Sequence, residues 1–109
     1  MESEAMPAAG PEPTRAEVDR MPGPVVLEFG AGWCGYCQVF QPTMNALLRE
    51  YPGVRYIWVE DGKGKPLGRS FRVKLWPTLV FLRDGEVVAQ MARPDAKEAR
   101  EGFEAVNGR

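Results

Sequence analysis

Between Val25 and Glu50 the chain changes its hydrophobic period once, and that change limits the folds open to it. Val25-Val26-Leu27-Glu28-Phe29 is a short, β-branched, nearly continuous apolar run holding a single acid, the pattern of a strand buried on both faces. Gly30-Ala31-Gly32 interrupts it, and from Cys34 to about Glu50 the residues Phe40, Met44, Leu47 and Leu48 recur at helical spacing. A strand apolar on both sides needs cover above and below, so a strand leading into a long helix points to an α/β protein.

The rest of the chain fits that reading. Thr14-Arg15-Ala16-Glu17 has the form of a capping box, opening a short helix through Arg20 that Met21-Pro22-Gly23-Pro24 must stop. Pro42 lies inside the long helical pattern and should kink it by removing one backbone donor. Val54 to Val59 is a second strand, and Pro66 suits the first turn of a short helix to about Arg72. Thr78 to Leu82 is a third strand, joined by a hairpin at Asp84-Gly85 to a fourth over Glu86 to Met91. Pro94 and Asp95 open a last helix with Ala99, Phe103 and Val106 on one face. The order α-β-α-β-α-β-β-α implies a mixed central sheet of about four strands with helices on both faces. Residues 1–13, rich in Ala, Pro, Gly and Glu, are expected to be a flexible lead-in, and residues 14–109 a single domain.

Net charge is −1 with acids and bases interspersed, which leaves no electrostatic footprint for nucleic acid or an anionic membrane. No apolar run reaches the length of a membrane-spanning helix. The first thirteen residues carry Glu2, Glu4 and Glu12 and no apolar core of a secretory signal. A cytoplasmic monomer is therefore expected, or a periplasmic one if a signal has been removed.

Two cysteines and no histidine sharpen the chemistry. Two cysteines are too few for a disulfide framework or a complete four-cysteine zinc site, and without histidine no Cys/His dyad can form. A disulfide across three residues closes a tiny loop and adds little stability. Half of a zinc site would need a second chain to complete it. What remains is redox chemistry. A Cys-x-x-Cys pair at a strand-to-helix junction places the first sulfur among free backbone N–H groups at the positive end of the helix dipole. That setting favours a thiolate at Cys34, which would attack a substrate disulfide. Cys37, one turn on and less exposed, would resolve the mixed disulfide. No cofactor is needed, because the cysteines carry both electrons.

The segment from Val25 through Trp33-Cys34-Gly35-Tyr36-Cys37 resembles the active-site strand and motif of the thioredoxin family. Pro42 matches that family's helix proline, and Trp76-Pro77-Thr78 followed by Asp84-Gly85 looks like its cis-proline segment and hairpin. The resemblance covers roughly residues 15–106. It implies a thioredoxin fold and a thiol–disulfide oxidoreductase acting on protein thiols and disulfides, served by an upstream reductase or oxidase. Local sequence alone would favour a trans strand-edge Pro77; the resemblance implies cis. It further implies that Trp76 backbone groups lie open beside Cys34 for an extended substrate segment. Trp33, Gly35, Tyr36, Trp76 and Pro77 would line the substrate face. Packing roles are the alternatives for Trp33 and Trp76.

Three departures from the family pattern stand out. Gly35-Tyr36 replaces the usual Gly-Pro between the cysteines and resembles the dipeptide of bacterial disulfide isomerases, which suits a more oxidising pair. Glu28 aligns with the family's buried aspartate and is expected to take the resolving cysteine's proton, or else to reach solvent at a strand edge. The lysine that typically pairs with that acid has no counterpart in Arg55-Tyr56-Ile57-Trp58-Val59, so Glu28 is expected to be unpaired. Finally, the family's glycine after the last strand aligns near Ala92 or Arg93, where a side chain would alter the substrate groove. Arg93 would contact an acidic substrate or simply sit at a solvated strand end. Isomerase or oxidant activity, and a non-catalytic interaction module that keeps the fold, are the competing functions.

Overall fold

The structure, a computed structural model, describes residues 6–7 and 10–107. Much of the expected lead-in, including Glu2 and Glu4, lies outside the described residues. The elements are α1 (Arg15–Asp19), β1 (Pro24–Gly30), α2 (Gly35–Glu50), β2 (Arg55–Glu60), α3 (Pro66–Ser70), β3 (Thr78–Arg83), β4 (Glu86–Ala92) and α4 (Ala96–Asn107). The expected order holds, with boundaries shifted by one or two residues.

Local chemistry accounts for the ends. The Thr14 hydroxyl accepts from the Glu17 amide at 3.0 Å while the Glu17 carboxylate accepts from the Thr14 amide at 2.8 Å, closing the box that starts α1. Asp95 and Glu98 make the same reciprocal pair at the head of α4. α2 contains Pro42.

The four strands form one sheet in the order β2-β1-β3-β4, with β1 parallel to β2 and antiparallel to β3, and β4 antiparallel to β3. β1 is thus interior, which explains its nearly continuous apolar run. Its side chains alternate between two cores. Val26 enters a core with Phe40, Met44 and Leu47 of α2 and Ala99, Phe103 and Val106 of α4. Val25, Leu27 and Phe29 enter the opposite core with Val18, Leu67 and Phe71. Glu28, two residues from Val26, shares the α2 face, and so its carboxylate lies inside the protein on the side of the helix that carries the cysteines.

Candidate functional site

β1 ends in a tight turn that delivers the cysteines. The Cys34 amide donates to the Ala31 carbonyl at 3.0 Å, and the Gln38 side chain donates to the Gly32 carbonyl at 2.7 Å, pinning the turn to the first turn of α2. Cys34 is the N-cap: its backbone is extended, and its Sγ accepts from the Cys37 amide at 3.3 Å. Cys34 is 6% exposed and Cys37 is fully buried. A negative charge on the Cys34 sulfur therefore meets an amide donor and the positive end of a sixteen-residue helix. The Cys37 thiol is pushed up to about 12, first by burial and then by its hydrogen bond with Cys34. The two sulfurs thus differ in burial and in hydrogen-bonding role.

Gly30 makes this closeness possible. A Cβ there would lie 2.7 Å from the Cys37 sulfur and 2.9 Å from the Trp58 ring. The glycine is legible in the sequence only as part of a turn; that it clears space for a thiol depends on how α2 and β2 pack against it.

Glu28 does not reach solvent; it is fully buried on an interior strand. Nor is it unpaired. The Tyr56 hydroxyl donates to its Oε1 at 2.7 Å. The Gln41 amide, with its nitrogen turned to the carboxylate, donates to Oε2 at 2.8 Å. The correction has a simple cause: a neutral phenol on β2 and an amide on α2 stand where a charged partner was sought. Burial raises the carboxyl to about 7, and the Tyr56 and Gln41 hydrogen bonds hold it from going higher. The phenol is pushed up in turn, by burial first and then by the Glu28 charge. Glu28 also raises the Cys37 thiol through its charge, which links the acid to the resolving sulfur.

The outer side is aromatic. Trp33 is 75% exposed, Tyr36 61% and Val39 82%, so Trp33 is a surface residue and does not pack into the interior. Trp33 meets Trp76 edge to face at 5.5 Å between ring centroids. Trp76 is half-buried against Ala31, Cys34 and Cys37, as is Met6 of the N-terminal segment. The Trp76 indole N–H donates to Asp61 at 2.9 Å, a positioning contact that the sequence did not single out. The Trp76–Pro77 peptide is cis. Gly35 opens α2 with free space around it, and Ala92, exposed, ends β4 opposite Thr78.

Arg93 is exposed and lies one residue past the end of β4. Its backbone is left-handed, at φ 49°, and its amide donates to the Pro77 carbonyl at 2.7 Å. Its Nε donates to the Trp76 carbonyl at 2.9 Å, and its guanidinium lies 3.8 Å from the centre of the Tyr36 ring. The Trp76 carbonyl is therefore already engaged and does not lie open.

With this geometry in hand, comparison with known proteins is informative. The thioredoxin family profile matches residues 11–103. Thioredoxin 2 from Pseudomonas aeruginosa PAO1, solved in its reduced form, is 52% identical and superposes with a TM-score of 0.79, covering 89% of this chain and 91% of that one. Thioredoxin Asp f 28 of Aspergillus fumigatus is 36% identical over 64 residues, 59% of each chain. Thioredoxin C-2 of Corynebacterium nephridii is 35% identical over 79 residues, 70% of this chain and 73% of the relative. The match to mitochondrial thioredoxin-3 of Saccharomyces cerevisiae, 32% identical, spans 68% of this chain and 60% of that protein. The chain thus spans about three-fifths of the length of the first curated relatives it matches.

Proposed function

This chain belongs to the thioredoxin family, and on that premise we propose that it is a thiol–disulfide oxidoreductase acting on protein substrates. The observation that carries the reading is the inequality of the two sulfurs: Cys34 caps α2, keeps slight exposure and accepts an amide hydrogen, while Cys37 is fully enclosed with its thiol raised.

The Cys34 thiolate attacks one sulfur of a substrate disulfide. A bond forms between Cys34 and that sulfur, and the other substrate sulfur leaves as a thiolate that takes up a proton. Cys37 then gives its proton to Glu28, directly or through water. A carboxyl at about 7 is ionised in part at neutral pH and can accept it. The Cys37 thiolate attacks the Cys34 sulfur, releasing the second substrate thiolate and leaving a Cys34–Cys37 disulfide. Two electrons have passed to the substrate, and a reductase upstream must return two. Trp33, Gly35, Tyr36, Trp76, Pro77, Ala92 and Arg93 form the face that meets the substrate. The cytoplasm is the compartment this reading favours, because a dithiol donor works where a reducing pool recharges it; a single chain carries the whole reaction.

Among the described residues no helix is long and apolar enough to cross a membrane. The test is reduction of insulin disulfides with dithiothreitol as electron source. The protein should accelerate precipitation of the insulin chains, and Cys34→Ser should abolish the effect. No acceleration by the unmodified protein would refute the reading in favour of a non-catalytic module.

A further inference from the structure

Arg93 is a charged side chain laid across the face that the mechanism leaves to the substrate. It bridges two elements: Nε reaches the Trp76 carbonyl at 2.9 Å, and the guanidinium covers the Tyr36 ring at 3.8 Å. An extended peptide that pairs with the chain beside Pro77 needs that carbonyl as an acceptor. The Arg93 Nε already donates to that acceptor. Among the described residues, no hydrogen bond or ion pair engages its terminal nitrogens. Beside it lies a cavity of about 240 Å³, lined by Tyr36, Phe40, Thr43, Pro77 and Arg93 among others. Asp95, also on that cavity, is turned to its own helix, where its Oδ1 accepts from the Glu98 amide at 2.8 Å.

We propose that Arg93 is the specificity-determining residue of this site: its side chain closes the docking edge at the Trp76 carbonyl, and a substrate with an acidic residue beside its disulfide opens that edge by taking the guanidinium. The inference rests on the oxidoreductase reading. A neutral substrate exchanges the Arg93 contact for its own backbone hydrogen bond and leaves the displaced guanidinium without a charged partner. A carboxylate supplies that partner through charge-assisted, bidentate hydrogen bonds, which the planar guanidinium is shaped to make. Because Arg93 is solvent-exposed, the gain is modest and falls with salt.

The experiment compares two disulfide-linked peptides that differ only by Glu or Gln next to the cysteine, reduced by the protein with dithiothreitol as electron source. For the unmodified protein, kcat/KM should favour the Glu peptide by about fivefold at low salt, with the preference shrinking in 0.5 M NaCl. Arg93→Gly should bring the ratio to about one, chiefly by lowering KM for the Gln peptide. The left-handed backbone at this position suits glycine, so the variant keeps the local fold. Arg93→Glu should reverse the preference. A ratio near one in the unmodified protein, or a ratio unchanged in Arg93→Gly, overturns the proposal while leaving the oxidoreductase reading intact. Failure to reduce either peptide overturns both.

Discussion

On the inner side of the Cys34–Cys37 pair one carboxylate is enclosed by neutral donors, whereas on the outer side one cation lies among exposed aromatic rings. Glu28 is held by Tyr56 and Gln41 and shielded from water. Arg93 is held by the Trp76 carbonyl and the Tyr36 ring, in contact with water. Burial makes the inner charge costly, so its environment is felt as a large shift in proton affinity. Solvent makes the outer charge cheap, and its interactions are screened by salt. On the proposed reading, the fold separates proton handling from substrate choice across a helix N-terminus.

If the two sides differ as described, the largest effect should be in the reactivity of the two thiols. With Cys37 pushed up to about 12 and enclosed, it holds its proton and is shielded, so iodoacetamide at pH 6 to 7 should label Cys34 faster by about 100-fold or more. Peptide mapping of the labelled protein reads this directly. Equal labelling would mean that the interior does not protect Cys37.

Next is the carboxylate. The Glu28 acid is raised from 4.5 to about 7 in the fold, so the native state holds its proton more tightly than the unfolded chain. Stability should therefore fall as pH rises from about 4.5 to about 7 and then level off. The shift corresponds to about 3 kcal/mol, an upper figure. Glu28→Gln should be more stable than the parent at pH 8 by up to that amount and about equal near pH 4.5, as read from urea midpoints. The turnover profile of the same variant should lose its inflection near pH 7. A parent protein whose stability is flat between pH 5 and 8 would place the carboxylate in water.

The smallest of the three concerns the space between the sides. Gly30→Ala drives a methyl against the Cys37 sulfur and the Trp58 ring. A loss of about 1–3 kcal/mol in stability is expected from such overpacking, together with slower resolution of mixed disulfides. A neutral effect would mean that the thiol has room to move.

The legible parts of this chain were those set by local rules. The capping box at Thr14, the interior strand Val25–Phe29 and the hairpin at Asp84-Gly85 each follow from a few adjacent residues, and so does the helix-start position of Cys34. What was hidden depends on contacts between distant segments. Tyr56 becomes a partner of Glu28 only through the parallel register that sets Val26 opposite Tyr56 and Glu28 opposite Trp58, and no local signal fixes that register. The family resemblance puts Arg93 near the groove. Its reach to Trp76 and Tyr36 follows from a left-handed backbone that a non-glycine residue rarely adopts and a sequence does not announce.

The central claim is the division of labour between the sulfurs, and trapping tests it most directly. Cys37→Ser and Cys34→Ser proteins, each mixed with a disulfide substrate and quenched with acid, are resolved on non-reducing gels. The account predicts a stable mixed disulfide through Cys34 in the Cys37→Ser protein and none in the Cys34→Ser protein, since the remaining thiol there is enclosed and raised to about 12. A mixed disulfide formed through Cys37, or none in either variant, would contradict it.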